Sequence, residues 1–175
     1  MATILTLWYT CAMSHAMDTD RTKHMHYHID IQHADHKMAT PISDDLLRHW
    51  AITALTPYRE TAELTLRLVD VDEMTHLNHT YRKQPKQTNV LAFPATHPKE
   101  LMLDYPLLGD VILCPAVLQA ESVSLKTPLN AHWAHIVIHG VLHLLGYDHL
   151  QEEEAHIMQT IEQTLLIKLG FEMIL

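Results

Sequence analysis

From residue 27 onward, the spacing of apolar residues switches between two periods, which predicts a mixture of strands and helices. Tyr27-His28-Ile29-Asp30-Ile31-Gln32 alternates apolar and polar side chains, as a half-buried strand does. Ser43 then offers an N-cap to a helix carrying Leu46, Leu47, Trp50 and Ala54 on one side, with Pro57 just beyond its end. Leu64, Leu66 and Leu68 alternate with Glu63, Thr65 and Arg67, giving a second strand. Met74, Leu77 and Tyr81 form a helical stripe over 72–83. Thr88–Phe93 reads as a strand stopped by Pro94, residues 95–107 as a loop containing Pro98 and Pro106, and Leu108–Leu113 as a fourth strand. Pro115 starts a helix well, because its missing N–H costs nothing there.

The helix expected over about 130–145 is apolar on several sides, through Trp133, Ile136, Val137, Ile138, Val141, Leu142 and Leu144. Such a helix is buried, and a buried scaffold fixes side-chain geometry better than a loop. A last helix, roughly 152–169, places Met158, Ile161, Leu165 and Leu169 on one face, with Gly170 as its stop. There is no internal repeat and no low-complexity tract. Four strands interleaved with helices imply an α+β fold, a small mixed β-sheet packed with helices around a central buried helix.

That central helix also carries the most distinctive chemistry. His139-Gly140-Val141-Leu142-His143-Leu144-Leu145-Gly146-Tyr147-Asp148-His149 sets histidines at relative positions 0, 4 and 10 and a glycine at 7. On a helix the first two imidazoles are only about 40° and one turn apart, so both can bind one ion. Gly146 can end the helix in a left-handed conformation, and the returning chain can bring His149 to the same ion. The chain has 16 histidines, so pairs at this spacing arise by chance; the third His behind a correctly placed Gly sets this run apart. A three-histidine site leaves a fourth position for water, which marks a catalytic zinc rather than a structural one.

The spacing also matches half of the metzincin protease pattern, H-E-x-x-H-x-x-G-x-x-H. That pattern needs Glu directly after the first His, as general base. Here the position is Gly140, so the metal-binding half is present and the peptidase's proton-transfer half is missing.

At 175 residues and 47% hydrophobic content the chain is long enough for one globular domain, expected over 26–175. No apolar run approaches the roughly 18 residues of a membrane span. Cys11 and Cys114 match no disulfide or zinc framework, which fits a reducing cytosol. Residues 1–25 read as a disordered or optional extension, with Met13, Met17 and Met25 as possible later starts. The mildly apolar stretch from Ile4 to Met13 lacks the preceding positive charge of a secretory signal. Net charge is −9 with His neutral, the wrong sign for a protein that coats nucleic acid without selectivity. Local fields can still favour phosphate: a dication on three neutral histidines is a +2 centre, and Arg82, Lys83 and Lys86 are the densest basic cluster.

The run at 139–149 is joined by Leu77-Asn78-x-x-Tyr81-Arg82, Thr88-Asn89-Val90-Leu91-Ala92-Phe93-Pro94 and Leu108-Gly109-Asp110-Val111. In order and spacing these four motifs resemble the YbeY family of bacterial rRNA maturation factors, over about residues 26–170. The N-terminal extension departs from the family. The resemblance implies a compact zincin-like fold with the metal in a cleft, and one zinc ion on His139, His143 and His149. It implies a single-strand-specific, metal-dependent endoribonuclease acting in small-subunit rRNA 3′-end maturation and ribosome quality control. Partners would be single-stranded RNA, small-subunit rRNA, and ribosomal proteins or assembly factors in the cytoplasm. It also implies that Arg82 matters for activity.

Residue chemistry is compatible with that expectation. Zinc can lower the pKa of bound water toward about 7 and polarise a phosphoryl oxygen. Arg82 offers a planar fork of donors suited to phosphate, against the alternative of a surface salt bridge. Lys83 and Lys86 would add to RNA binding. Asp148, next to His149, could orient an imidazole or assist proton transfer, or simply shape the turn after Gly146. His132 and His135 share the helical face of His139 and would support the site from behind or form a polar rim, against the alternative of extending it toward substrate. Tyr147 reads as packing, Asn89 as an RNA contact or a strand entry, and Glu152–Glu154 as charge favourable at a helix N-terminus. A glutamate introduced at 140 is expected to lie beside the metal and repel a phosphate, with Gly140→Ala milder. Two other functions stand against the nuclease: a metallopeptidase or other small metal hydrolase, and a non-catalytic assembly factor with structural zinc.

Overall fold

The computed structural model describes residues 25–34, 40–96, 106–149 and 151–171. The expected extension lies, apart from Met25, outside the described residues, as do Cys11 and Pro98. Among the described residues there are four strands, β1 (His26–His33), β2 (Thr61–Leu68), β3 (Val90–Pro94) and β4 (Leu107–Leu113). They are joined by five helices, α1 (Asp44–Leu55), α2 (Val71–Arg82), α3 (Pro115–Leu125), α4 (Leu129–Leu144) and α5 (Glu152–Lys168). The sheet order is β1-β2-β4-β3, with β3 antiparallel to β4 and the other pairings parallel. The mixed sheet and α+β class are as the sequence predicts.

Strand alternation divides the interior into two layers. On one face Ala62, Leu64, Leu66, Leu68, Val111 and Leu113 join Leu47 and Trp50 of α1, Trp133, Val137 and Val141 of α4, and Leu165 and Leu166 of α5. On the other, Leu91, Phe93 and Ile112 meet Val71, Met74 and Leu77 of α2. The central helix therefore packs between the sheet and helices α1, α3 and α5, which is why its sequence is apolar on several sides. No helix is long and apolar enough to cross a membrane among the described residues. Cys114 is buried, and burial pushes its thiol above the usual range.

Several positions differ from expectation for physical reasons. Leu46 is 37% exposed, because the buried stripe of α1 runs through Leu47, Trp50, Ala51, Ala54 and Leu55 at i, i+3, i+4, i+7 and i+8. Tyr81 is 61% exposed, its ring meeting Phe93 edge-on at 4.9 Å between centroids, while the inward position near the end of α2 belongs to Asn78. Pro94 ends the β3 ladder from within rather than stopping it from outside. An edge strand tolerates the missing N–H. Its partner across the ladder, Gly109, has φ +128, and a Cβ there would come within 2.1 Å of the Phe93 carbonyl.

Gly140 has a different role from the one anticipated. It faces the sheet, where a Cβ would lie 2.5 Å from Val111 Cγ1 and 3.4 Å from Val90 Cγ2. Glycine thus lets α4 approach the sheet closely, and a glutamate at 140 would enter the core rather than stand in front of a phosphate.

Candidate metal centre

The C-terminal end of α4 is closed by a pair of hydrogen bonds that aim the following chain. Tyr147 N–H donates to the Leu142 carbonyl and Gly146 N–H to that of His143, each at 3.0 Å. This is a Schellman closure, and Gly146 takes the left-handed conformation it requires, φ +94. The Tyr147 ring then packs edge-on against Tyr58, with centroids 5.6 Å apart, and burial pushes the Tyr58 phenol up. Asp148 Oδ1 accepts from the His149 backbone N–H at 2.8 Å, so this carboxylate shapes the turn that presents His149.

The three histidines converge. One ring nitrogen from each of His139, His143 and His149 lies within 4.8 Å of the others. Ring centroids are 4.6 Å apart for His139 and His143, 5.1 Å for His143 and His149, and 5.6 Å for His139 and His149. The Nε2 atoms of His139 and His143 face each other at 3.1 Å. His139 and His143 are half-buried and His149 is exposed, so the group opens to solvent on one side. Burial, reinforced by the neighbouring His139 and His149, holds His143 below the ordinary imidazole range. That favours the neutral form, the form that donates a lone pair to a cation. An all-imidazole donor set suits zinc, copper, iron or nickel better than calcium or magnesium. These residues fit a single divalent transition-series ion.

Behind the group stands a residue that sequence reasoning missed. Glu162 of α5 is only 5% exposed, with Oε1 2.7 Å from His139 Nδ1 and Oε2 3.3 Å from His135 Nε2. Burial pushes its carboxyl up, but the hydrogen bonds from His135 and His139 outweigh this and hold it at about 2. The signal was present: Glu162 lies on the buried face of α5 with Met158, Leu165 and Leu166. A carboxylate at a core position needs partners, and α4 offers histidines at 132, 135, 139 and 143.

The other candidate residues are not in this cluster. His132 is buried, but its Nε2 lies 2.8 Å from Glu121 Oε2 of α3, and the same oxygen accepts from Asn89 Nδ2 at 2.9 Å. Asn89 thereby fixes the entry to β3, and Glu121 is a second carboxylate that the sequence pattern did not single out. Arg82 sits exposed at the C-terminal end of α2, with no hydrogen bond or ion pair to its guanidinium among the described residues. Helix α2 covers the opposite face of the sheet from α4. Lys83 and Lys86 are exposed as well. Their backbone is held by buried Asn78, whose Nδ2 donates to the Lys86 carbonyl at 2.7 Å and whose own carbonyl accepts from Gln84 N–H.

Fold and site define a small α+β protein with a candidate three-histidine metal centre at the end of a buried helix. The family model described as Endoribonuclease YbeY matches residues 28–170, and the chain belongs to that family. A relative named Endoribonuclease YbeY from Legionella pneumophila (strain Corby) is 58% identical over 147 residues, covering 84% of this chain and 92% of the relative. A Pseudomonas putida (strain F1) relative of the same name is 52% identical over 142 residues, 81% of this chain and 88% of its own length. Among solved structures, the solution structure of a Thermotoga maritima protein aligns with a TM-score of 0.52 at 22% identity. That alignment covers 81% of this chain and 91% of the other, and shows the shared fold.

Proposed function

We propose that this chain is a zinc-dependent endoribonuclease that cuts single-stranded RNA, acting in small-subunit rRNA 3′-end maturation and ribosome quality control in the cytoplasm. Family membership supports the RNA substrate. The observation that carries the metal dependence is the convergence of His139, His143 and His149 within 4.8 Å on a half-open surface. These three side chains would hold the ion. When bound, it supplies Lewis-acid stabilisation to charge developing on a phosphoryl oxygen.

The chain's own residues do the rest. Arg82, exposed and without a partner among the described residues, grips a phosphate of the RNA through its guanidinium. Lys83 and Lys86 extend that contact along the backbone. Asp148 is catalytically useful chiefly through the turn it fixes before His149. His135 acts from behind the site through Glu162, and His132 holds α4 to α3. Residues 26–175 form the nuclease domain, and 1–25 is an optional extension. Ribosomal proteins or assembly factors are the partners.

The metallopeptidase reading loses ground at Gly140, which faces the core and carries no carboxylate. The carboxylate nearest His139, Glu162, has both oxygens engaged by imidazoles. A purely structural ion is disfavoured by the exposure of His149, since closed sites add a fourth protein ligand. The test offers metal-loaded protein single-stranded RNA, structured rRNA and casein, with His143→Ala as control for co-purifying nucleases. Cleavage confined to single-stranded RNA and absent in the control is expected. Metal-dependent proteolysis would replace this reading with the peptidase.

A further inference from the structure

We propose that Glu162 is the positioning residue of the metal centre, fixing the tautomer and orientation of His139 from the last helix. The inference rests on reading His139, His143 and His149 as metal-holding. An ionised carboxylate only accepts hydrogen bonds, so the 2.7 Å contact requires the proton of His139 to sit on Nδ1. That leaves the Nε2 lone pair free, and Nε2 is the atom that faces His143 at 3.1 Å. A carboxylate behind a ligating imidazole also raises its basicity.

The second oxygen matters too. Oε2 accepts from His135, so Glu162 is held between two imidazoles one turn apart on α4 and cannot swing forward to become a donor itself. Its side chain is buried, so solvent does not compete for either oxygen. Glutamine at 162 keeps the shape but can accept at one atom only; its other end is an NH2 that would confront an imidazole nitrogen. Glu162→Gln should therefore disturb His139 while leaving the packing of α5 nearly unchanged.

Two readouts separate this role from a merely structural one. In the metal-free protein, 15N imidazole shifts should show His139 protonated on Nδ1, and Glu162→Gln should erase that preference. Zinc affinity, measured by competition with a chromophoric chelator, should fall about 10–100-fold in Glu162→Gln. His143→Ala serves as the reference for the site itself. If His143→Ala binds zinc as well as wild type, the metal reading fails. If His143→Ala loses zinc while folded Glu162→Gln keeps wild-type affinity, the metal reading stands and the Glu162 role is overturned. Should the variant not fold, the wild-type spectrum still decides: His139 protonated on Nε2 would refute the proposal.

Discussion

Helix α4 presents a histidine to a carboxylate at each end, and the two ends behave differently. Near its start, His132 is buried and meets Glu121, which also accepts from Asn89. Near its finish, His139 meets Glu162 through Nδ1, while its Nε2 faces that of His143 at 3.1 Å and a ring nitrogen of His149 lies within 4.8 Å. The first arrangement is closed: each polar group has its partner, and three elements are clipped together. The second gathers donors instead: three imidazoles converge with one ring nitrogen each on a half-open surface. A carboxylate beside a histidine therefore does not mark a metal site. Convergence of further donors on the opposite ring nitrogen does.

The largest expected effect breaks the link between the two ends. Gly140→Glu should destabilise the fold by at least about 4 kcal/mol, since it buries a carboxylate against Val111 and Val90 without a partner. Gly140→Ala should cost about 1–3 kcal/mol from overpacking, reduced by roughly 1 kcal/mol of better helix propensity. Thermal melting of both variants checks this. A glutamate tolerated at 140 would mean that α4 does not seat against β4 as described.

His132→Ala sharpens the comparison from the closed end. It should lose about 1–3 kcal/mol of stability, because Glu121 keeps Asn89 but loses its second partner, while metal content stays at wild-type level. Metal loss in a folded His132→Ala protein, measured by elemental analysis, would place that histidine in the site after all.

Away from both ends, Arg82→Glu should cut RNA cleavage strongly while melting temperature and metal content stay near wild type. With no partner among the described residues, its replacement should change stability by no more than about 0.5 kcal/mol. Unfolding of that variant would assign Arg82 a structural ion pair instead. The smallest effect belongs to Asp148→Asn. The amide oxygen can still accept from His149 N–H, so stability should shift by less than about 1 kcal/mol and cleavage should largely persist. A severe loss of cleavage with metal retained would give the carboxylate a direct part in proton transfer.

Much of this molecule is legible from its pattern. The strict alternation of Leu64, Leu66 and Leu68 places β2 in the sheet, and the run His139–His149 carries its helix, its Gly146 closure and its returning histidine in one local stretch. Local period and turn chemistry suffice for such features. What pattern alone does not reveal is long-range pairing. Glu162 lies 23 residues from His139, and Glu121 lies 32 from Asn89, so neither contact has a local signature. Gly140 differs from expectation for the same reason: a helix position has a direction only once its neighbours are known, and Val111 comes from a strand far back in the chain. Leu46 and Tyr81 show the converse: an apolar side chain on a helix need not be buried.

The most direct measurement counts metal per chain and single-stranded RNA cleavage together, in wild type and in each of His139→Ala, His143→Ala and His149→Ala. One divalent ion per chain with cleavage is expected for wild type. In the variants, both should be lost while the fold survives, because His139, His143 and His149 supply the only group of three or more metal donors found among the described residues. A variant that keeps one ion per chain, or cleaves RNA at the wild-type rate without it, would contradict a three-histidine centre as the seat of the activity.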